Sequence, residues 1–221
     1  CYSTGKMEQR AGDDELYRSA YRDRWDDLPL PATYVPFAEA PPRLPREVWN
    51  GIWIDSYHWT KTEATLRERM VRTCQVVTGM DRFIGNLRTW LAEAGVADHT
   101  IIVFSTDHGL LFGEHGLGGK VLPYEECIRI PLVIHDPRLP ASARGQTRDE
   151  LVVVEDLAPT VLELAGLPAP PTMQGQRLRP LPEGRRPAWR EEFFVENLFD
   201  AQNYPRCDGV RTREWKYLRY Y

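Results

Sequence analysis

Thr62–Ser105 reads TEATLRERMVRTCQVVTGMDRFIGNLRTWLAEAGVADHTIIVFS, and the fold is decided here. Leu66, Met70, Cys74, Val77, Met80, Ile84, Leu87 and Leu91 recur at steps of three and four, the spacing that gathers side chains on one stripe of an α-helix. Arg67, Glu68, Arg72 and Arg88 fall on other faces, and Gly95 stands where a left-handed residue closes a helix. The spacing predicts a helix over residues 62–95, the longest in the chain. Thr100–Ser105, TIIVFS, is a β-branched apolar run of the kind found in strands buried on both faces of a parallel sheet. A helix followed by a buried strand is the signature of an α/β fold, here a mixed, mostly parallel sheet flanked by helices, with 100–105 as a central strand.

Working outward, Ile130–Ile134 is a second apolar strand, preceded by a turn at Pro123 and stopped by Asp136-Pro137. Residues 138–150 are polar and read as a loop, and Leu151–Val154 reads as a short strand. A helix is expected from Asp156 to Ala165, with Pro159 in its first turn and Gly166 closing it. Leu167–Arg190 is rich in Pro and Arg and reads as a linker. Glu192–Glu196 and Val210–Tyr220 suggest a small C-terminal antiparallel subdomain. Upstream, Pro29, Pro31, Pro36, Pro41, Pro42 and Pro45 each remove a backbone donor. The expected organisation is therefore an irregular Pro-rich connection over 1–60, an α/β core over 61–166, and a linker with the C-terminal subdomain over 167–221.

The chain has 221 residues, 42 % of them hydrophobic and 27 % charged, which suffices for a packed core. Its 28 Lys and Arg against 32 Asp and Glu give a net charge of −4, without the basic footprint of a nucleic-acid binder. No apolar run approaches the ~18 residues a membrane span needs. The four cysteines show no C-x-x-C spacing and imply neither a disulfide scaffold nor a zinc site. The chain opens on Cys1 rather than Met, as a processed product or a fragment of a longer chain would.

Chemistry concentrates in Thr106–Lys120, TDHGLLFGEHGLGGK. This loop leaves the carboxyl end of the TIIVFS strand, where ligands bind in open α/β sheets. Asp107 and His108 set a carboxylate beside an imidazole, both able to ligate a divalent cation. The glycines at 109, 113, 116, 118 and 119 let the backbone approach an anionic group. Lys120 can bring a compact positive charge to the same group.

The segment STDHGLLFGEHGLGGKVLPYEECIRIPLVI, residues 105–134, resembles the second signature region of the type I sulfatases of the alkaline-phosphatase superfamily. The resemblance rests on the strand, the D-[NH]-G pair, the G-x-H-G turn, the lysine and the Y-E-E-x-x-R-x-P segment at Tyr124–Pro131. It extends to Asp156-Leu157-Ala158-Pro159-Thr160 and to the C-terminal VRTREWKYLRYY. It implies an alkaline-phosphatase-like core, incomplete in this chain, and hydrolysis of small-molecule or carbohydrate sulfate esters by a formylglycine nucleophile on a bound divalent metal, usually calcium. Carried over by position, it implies Asp107 and His108 as metal ligands and Lys120 as the contact to sulfate and leaving-group oxygens. His115 follows in a substrate-facing or supporting role.

Two family motifs are absent: the Asp-Asp metal pair at the end of the first strand, and the nucleophile motif C-x-[PA]-S-R. The expectation is thus the C-terminal half of a sulfatase, inactive and poorly soluble by itself, with the nucleophile and further ligands in the missing half. His108, where many members carry Asn, occurs in branches that include phosphonate and phosphodiester hydrolases. Imidazole suits manganese, zinc or iron better than hard calcium. A phosphonate or phosphodiester hydrolase of the same superfamily and a non-catalytic remnant are the alternatives. Periplasmic, secreted and cytoplasmic locations all stay open.

Overall fold

Thr62 begins the longest helix by accepting a hydrogen bond from the Thr65 backbone N–H at 3.2 Å, while the Thr65 hydroxyl oxygen accepts from the Thr62 N–H at 3.3 Å. This reciprocal cap satisfies donors that a helix start leaves without partners. In the computed structural model, which describes residues 14–36, 60, 62–120, 122–178, 188–198 and 205–221, the helix covers 31 residues, Glu63–Glu93. It ends as expected at Gly95, whose φ is 70°. The Gly95 N–H donates to Ala92 O and the Val96 N–H to Leu91 O, both at 3.0 Å, the paired bonds of a left-handed helix stop. Cys1, Pro41, Pro42, Pro45 and residues 179–187 of the expected linker lie outside the described residues.

The chain divides into two compact units. One comprises Cys1–Ala97, His108–Ile130 and Phe199–Pro205, the other Asp98–Asp107, Pro131–Leu198 and Arg206–Tyr221.

In the first unit the described residues before the first proline, Pro29, form two short helical elements. Asp14 caps a short helix α1, Glu15–Ser19, by accepting from the Leu16 N–H at 2.8 Å, and a 3₁₀ turn follows at Arg22–Arg24. Both lie against the N-terminal half of α2, Glu63–Glu93, and the seam is largely polar. Gln75 Nε2 donates to Ala20 O at 2.9 Å, and the Tyr21 and Thr78 hydroxyls bond at 2.6 Å. Glu68 takes Arg22 on one side and Arg72 on the other, at 2.8 Å from Arg72 Nε. One terminal nitrogen of Arg67 donates to Leu28 O at 2.8 Å and to Trp25 O at 3.0 Å. Of α2 only Leu66, Val71 and Gln75 are fully buried. The apolar stripe continues beyond them as predicted, but Val77 is 52 % exposed and Met80 44 %. A period of 3.6 marks which face is apolar, and what covers that face is a separate matter.

The loop 106–120 contains a hairpin that its glycines conceal, because glycine lowers strand propensity. Strands β2, Leu111–Phe112, and β3, Gly118–Gly119, pair antiparallel in the register Leu111↔Gly119 and Phe112↔Gly118. A short helix α3, Glu125–Ile128, follows. Leu66, Leu111, Leu117 and Leu122 are buried to 2 % exposure or less, each contributing about 2 kcal/mol of apolar burial.

In the second unit β1, Ile102–Ser105, pairs with β4, Leu132–His135. The pairing is antiparallel, in the register Ile102↔His135 to Ser105↔Leu132. The mostly parallel sheet expected from TIIVFS is not seen among the described residues, whose strand pairings are all antiparallel. Nor is β1 buried on both faces, since Val103 is 37 % exposed. A β-branched run reports that a strand forms and carries no information on the direction of its partner.

The short strand expected at Leu151–Val154 is instead extended chain running into a 3₁₀ turn, Val154–Asp156. Helix α4, Leu157–Leu164, follows, with Pro159 buried in its first turn and Gly166 at φ 74°. The C-terminal subdomain has three strands where two stretches were expected: β5, Glu192–Asn197, β6, Cys207–Thr212, and β7, Lys216–Tyr220, antiparallel in that order. Val210–Tyr220 is split by a turn in which Thr212 N–H donates to Trp215 O at 2.8 Å. Among the described residues no helix is long and apolar enough to cross a membrane.

Candidate active site

The chain leaves β1 through Thr106, whose hydroxyl donates to Asp107 Oδ1 at 3.3 Å. Asp107 is exposed and is the last residue of its segment of the second unit.

In the first unit, His108 is oriented by its own neighbour. Its Nδ1 lies 2.9 Å from Gly109 O, and a carbonyl oxygen only accepts, so the proton is on Nδ1 and the lone pair on Nε2. That lone pair meets Lys120 Nζ at 2.5 Å. The two residues singled out twelve positions apart are thus brought into contact, with the lysine as donor. Lys120 owes its place to the hairpin, because it directly follows β3.

Gly109 is glycine for a reason other than approach to an anion. Its N–H donates to Cys127 O at 2.8 Å, and a Cβ there would stand 1.9 Å from Glu126 O. The residue after His108 is therefore pressed against the backbone of α3. Cys127 also reaches the other end of the hairpin, its buried thiol donating to Gly119 O at 3.8 Å. Gly113, at φ 93°, faces the ring of Tyr34, whose Cδ2 would be 2.6 Å from an added Cβ.

His115 has a left-handed backbone, φ 57°. Its N–H donates to Thr33 O at 2.8 Å, and its ring stacks on Tyr124 with centroids 4.9 Å apart. The structure thus pairs His108 with Lys120, and His115 with Tyr124.

Three residues escaped the sequence reading. Thr33 and Tyr34 strap the hairpin turn, Tyr34 through a bridge to Glu114, and nothing in their local sequence signals it. Glu114 is the third, and its place in the G-E-H-G turn was the available sign. Its carboxylate accepts from the Phe112 N–H. Burial pushes the Glu114 carboxyl above the usual carboxylate range, backbone N–H groups of Glu114 and Phe112 pull it back, and the charge of Glu126 adds to the rise.

A carboxylate and an imidazole nitrogen are two donors of the type a divalent cation takes, and here the Nε2 lone pair of His108 is taken by Lys120 Nζ. Among the described residues no cluster of three or more His, Cys, Asp or Glu could hold a metal ion. The donors fit part of a ligand set.

Residues 113–221 match the family model described as N-sulphoglucosamine sulphohydrolase, C-terminal. The N-acetylglucosamine-6-O-sulfatase of Bacteroides thetaiotaomicron is 37 % identical over 154 residues, 66 % of this chain and 26 % of the relative. The solved structure of BT4656 in complex with its substrate D-glucosamine-2-N,6-O-disulfate is similar at a TM-score of 0.67 and 33 % identity, over 72 % of this chain and 33 % of that one. The phosphonate monoester hydrolase of Agrobacterium radiobacter is similar at a TM-score of 0.65 and 26 % identity, over 72 % and 34 %. The chain spans between a quarter and about a third of the length of these relatives. The chain belongs to the sulfatase family, to whose C-terminal part it corresponds.

Proposed function

We propose that this chain is part of a sulfuric ester hydrolase acting on a sulfated carbohydrate. In this reading Asp107 and His108 are two ligands of a divalent cation, and Lys120 meets the sulfate ester. The observation that carries it is the 2.5 Å approach of Lys120 Nζ to His108 Nε2, which sets a cationic donor and a metal-type nitrogen where one anionic oxygen can reach both. Similarity to an N-acetylglucosamine-6-O-sulfatase, and to a structure holding a disulfated glucosamine, supports the substrate class.

A bound divalent cation would supply Lewis-acid stabilisation of negative charge on the ester oxygens. Calcium is what the family implies, and the imidazole of His108 suits manganese or zinc as well. The formylglycine nucleophile would come from polypeptide outside these 221 residues. Within the chain, His108 is held with Nδ1–H on Gly109 O, so that Nε2 would ligate once the Lys120 ammonium turns from it to the ester. Lys120 stabilises the charge that grows on the departing alkoxide. His115 faces the substrate from the turn, its ring supported by Tyr124.

The reading is tested in the complete protein. Asp107→Ala should lose metal, by elemental analysis, together with turnover of a glucosamine 6-sulfate; a variant that keeps both overturns it. A second reading, hydrolysis of a phosphonate monoester, is favoured by His108 in place of Asn and by the likeness to the phosphonate monoester hydrolase. A kcat/KM higher for phenyl phosphonate than for the sulfate ester would select it.

A further inference from the structure

We infer that Glu114 is the positioning residue for Lys120: its carboxylate, folded back onto the Phe112 N–H at the end of β2, fixes the conformation of the hairpin turn and so fixes where the lysine stands beside His108. The inference rests on the reading of His108 and Lys120 as site residues.

Strands β2 and β3 have two residues each, and half of the four are glycine. A two-stranded hairpin is marginal even at ordinary strand length, so this one needs other locks. The turn supplies some of them, with Gly113 N–H on Leu117 O and Leu117 N–H on Glu114 O, both at 2.9 Å. Glu114 supplies a lock from its side chain. Its carboxylate takes the N–H of Phe112, the last residue of β2, and its backbone bridges to Tyr34, which anchors the turn from outside. A charged acceptor bonds a backbone N–H more strongly than a neutral one does. Lys120 follows β3 directly, so any slip of Gly118–Gly119 along Leu111–Phe112 carries the ammonium away from His108 Nε2.

The test uses the complete protein, freed of metal, and the ring-nitrogen ¹⁵N signals of His108, which report whether Lys120 donates to Nε2. Lys120→Ala defines the signal without the donor. Glu114→Ala should move the His108 signal to that value, and Glu114→Gln, whose amide oxygen can still accept from Phe112 N–H, should restore the parent signal. A Glu114→Ala chain that is folded by circular dichroism and keeps the parent signal overturns the inference, as does Glu114→Gln behaving like Glu114→Ala. Should Glu114→Ala not fold, Glu114→Asp, which withdraws the carboxylate by one methylene, is read against the same two outcomes. If Lys120→Ala itself leaves the His108 signal unmoved, the reading of the site falls and the inference with it. A shift in Lys120→Ala with none in the Glu114 variants overturns the inference alone.

Discussion

The carboxylate of Asp156, fully buried beside α4, is gripped by both terminal nitrogens of the Arg190 guanidinium, with Arg190 Nη2 2.6 Å from Oδ1. The same carboxylate accepts from the Val153 N–H at 2.9 Å and the Gln176 N–H at 2.6 Å. One side chain thus ties the turn before α4, the segment after it and the entry to β5. Arg190 and Trp189 also donate to Leu151 O, at 3.2 and 2.8 Å. Asp156→Ala leaves a half-buried cation and two N–H groups without their acceptor, and breaking a buried pair costs about 3–5 kcal/mol, an upper bound here. Urea unfolding followed by tryptophan fluorescence should show that loss.

Gly109→Ala should be destabilising well beyond its size. Its Cβ would meet a backbone carbonyl oxygen, Glu126 O, at 1.9 Å, and backbone cannot swing aside as a flexible side chain can. Forced overpacking of this kind costs about 1–3 kcal/mol. The displacement should be visible as faster hydrogen exchange at the Gly109 amide, whose acceptor is Cys127 O.

Glu114 makes stability depend on pH with a definite sign. Burial raises its carboxyl above the ordinary glutamate value of 4.5, so the folded chain binds that proton more tightly than the unfolded chain does. The contribution is fully present below that ordinary value and is lost as pH rises through the raised one. Glu114→Gln has no such proton to lose. Its stability relative to the parent should therefore rise across this window and level off above it, as measured by urea melts from about pH 4 upward.

On the proposed reading, Lys120→Ala in the complete protein should lower kcat by more than it raises KM, because the lysine's partner charge would grow between ground and transition state. The loss should be about 3 kcal/mol. Lys120→Arg should not restore full activity, since a planar guanidinium presents its charge differently from an ammonium. Steady-state kinetics on an aryl sulfate decide both.

The 221-residue chain alone should turn over no aryl sulfate, lacking a cysteine in the nucleophile motif. It should also self-associate at moderate concentration, because Val77, Phe83 and Trp90 on α2 and Phe194 and Tyr217 on the C-terminal sheet are all more than half exposed. Light scattering and a chromogenic sulfate assay are sufficient measurements.

Local signals were readable from the sequence and long-range pairings were not. Thr62 and Gly95 bounded α2 because caps are a matter of single residues and their nearest neighbours. Asp107, His108 and Lys120 stood out because one short loop gathers chemically active side chains after a strand. The antiparallel pairing of β1 with Leu132–His135 escaped because those residues carry the same apolar pattern in either orientation. Helix α1, at five residues, is too short for a period to emerge. The ion pair of Asp156 with Arg190 spans thirty-four positions, and both residue types are ordinarily solvated. Glu114 was hidden for a different reason, since its role depends on a hairpin made partly of glycine.

The strap of Thr33 and Tyr34 on Glu114 and His115 has a kinetic meaning. Its two sides lie far apart along the chain, with the whole of α2 between them. Helices of local contacts form early, whereas contacts of large sequence separation must first meet the entropy of closing the intervening chain. The lysine and histidine therefore acquire their final arrangement late, after α2 has brought the strap and the hairpin to the same end of the helix. During synthesis the strap emerges first and waits for its turn to be made, so the hairpin is strapped only after α2 has formed.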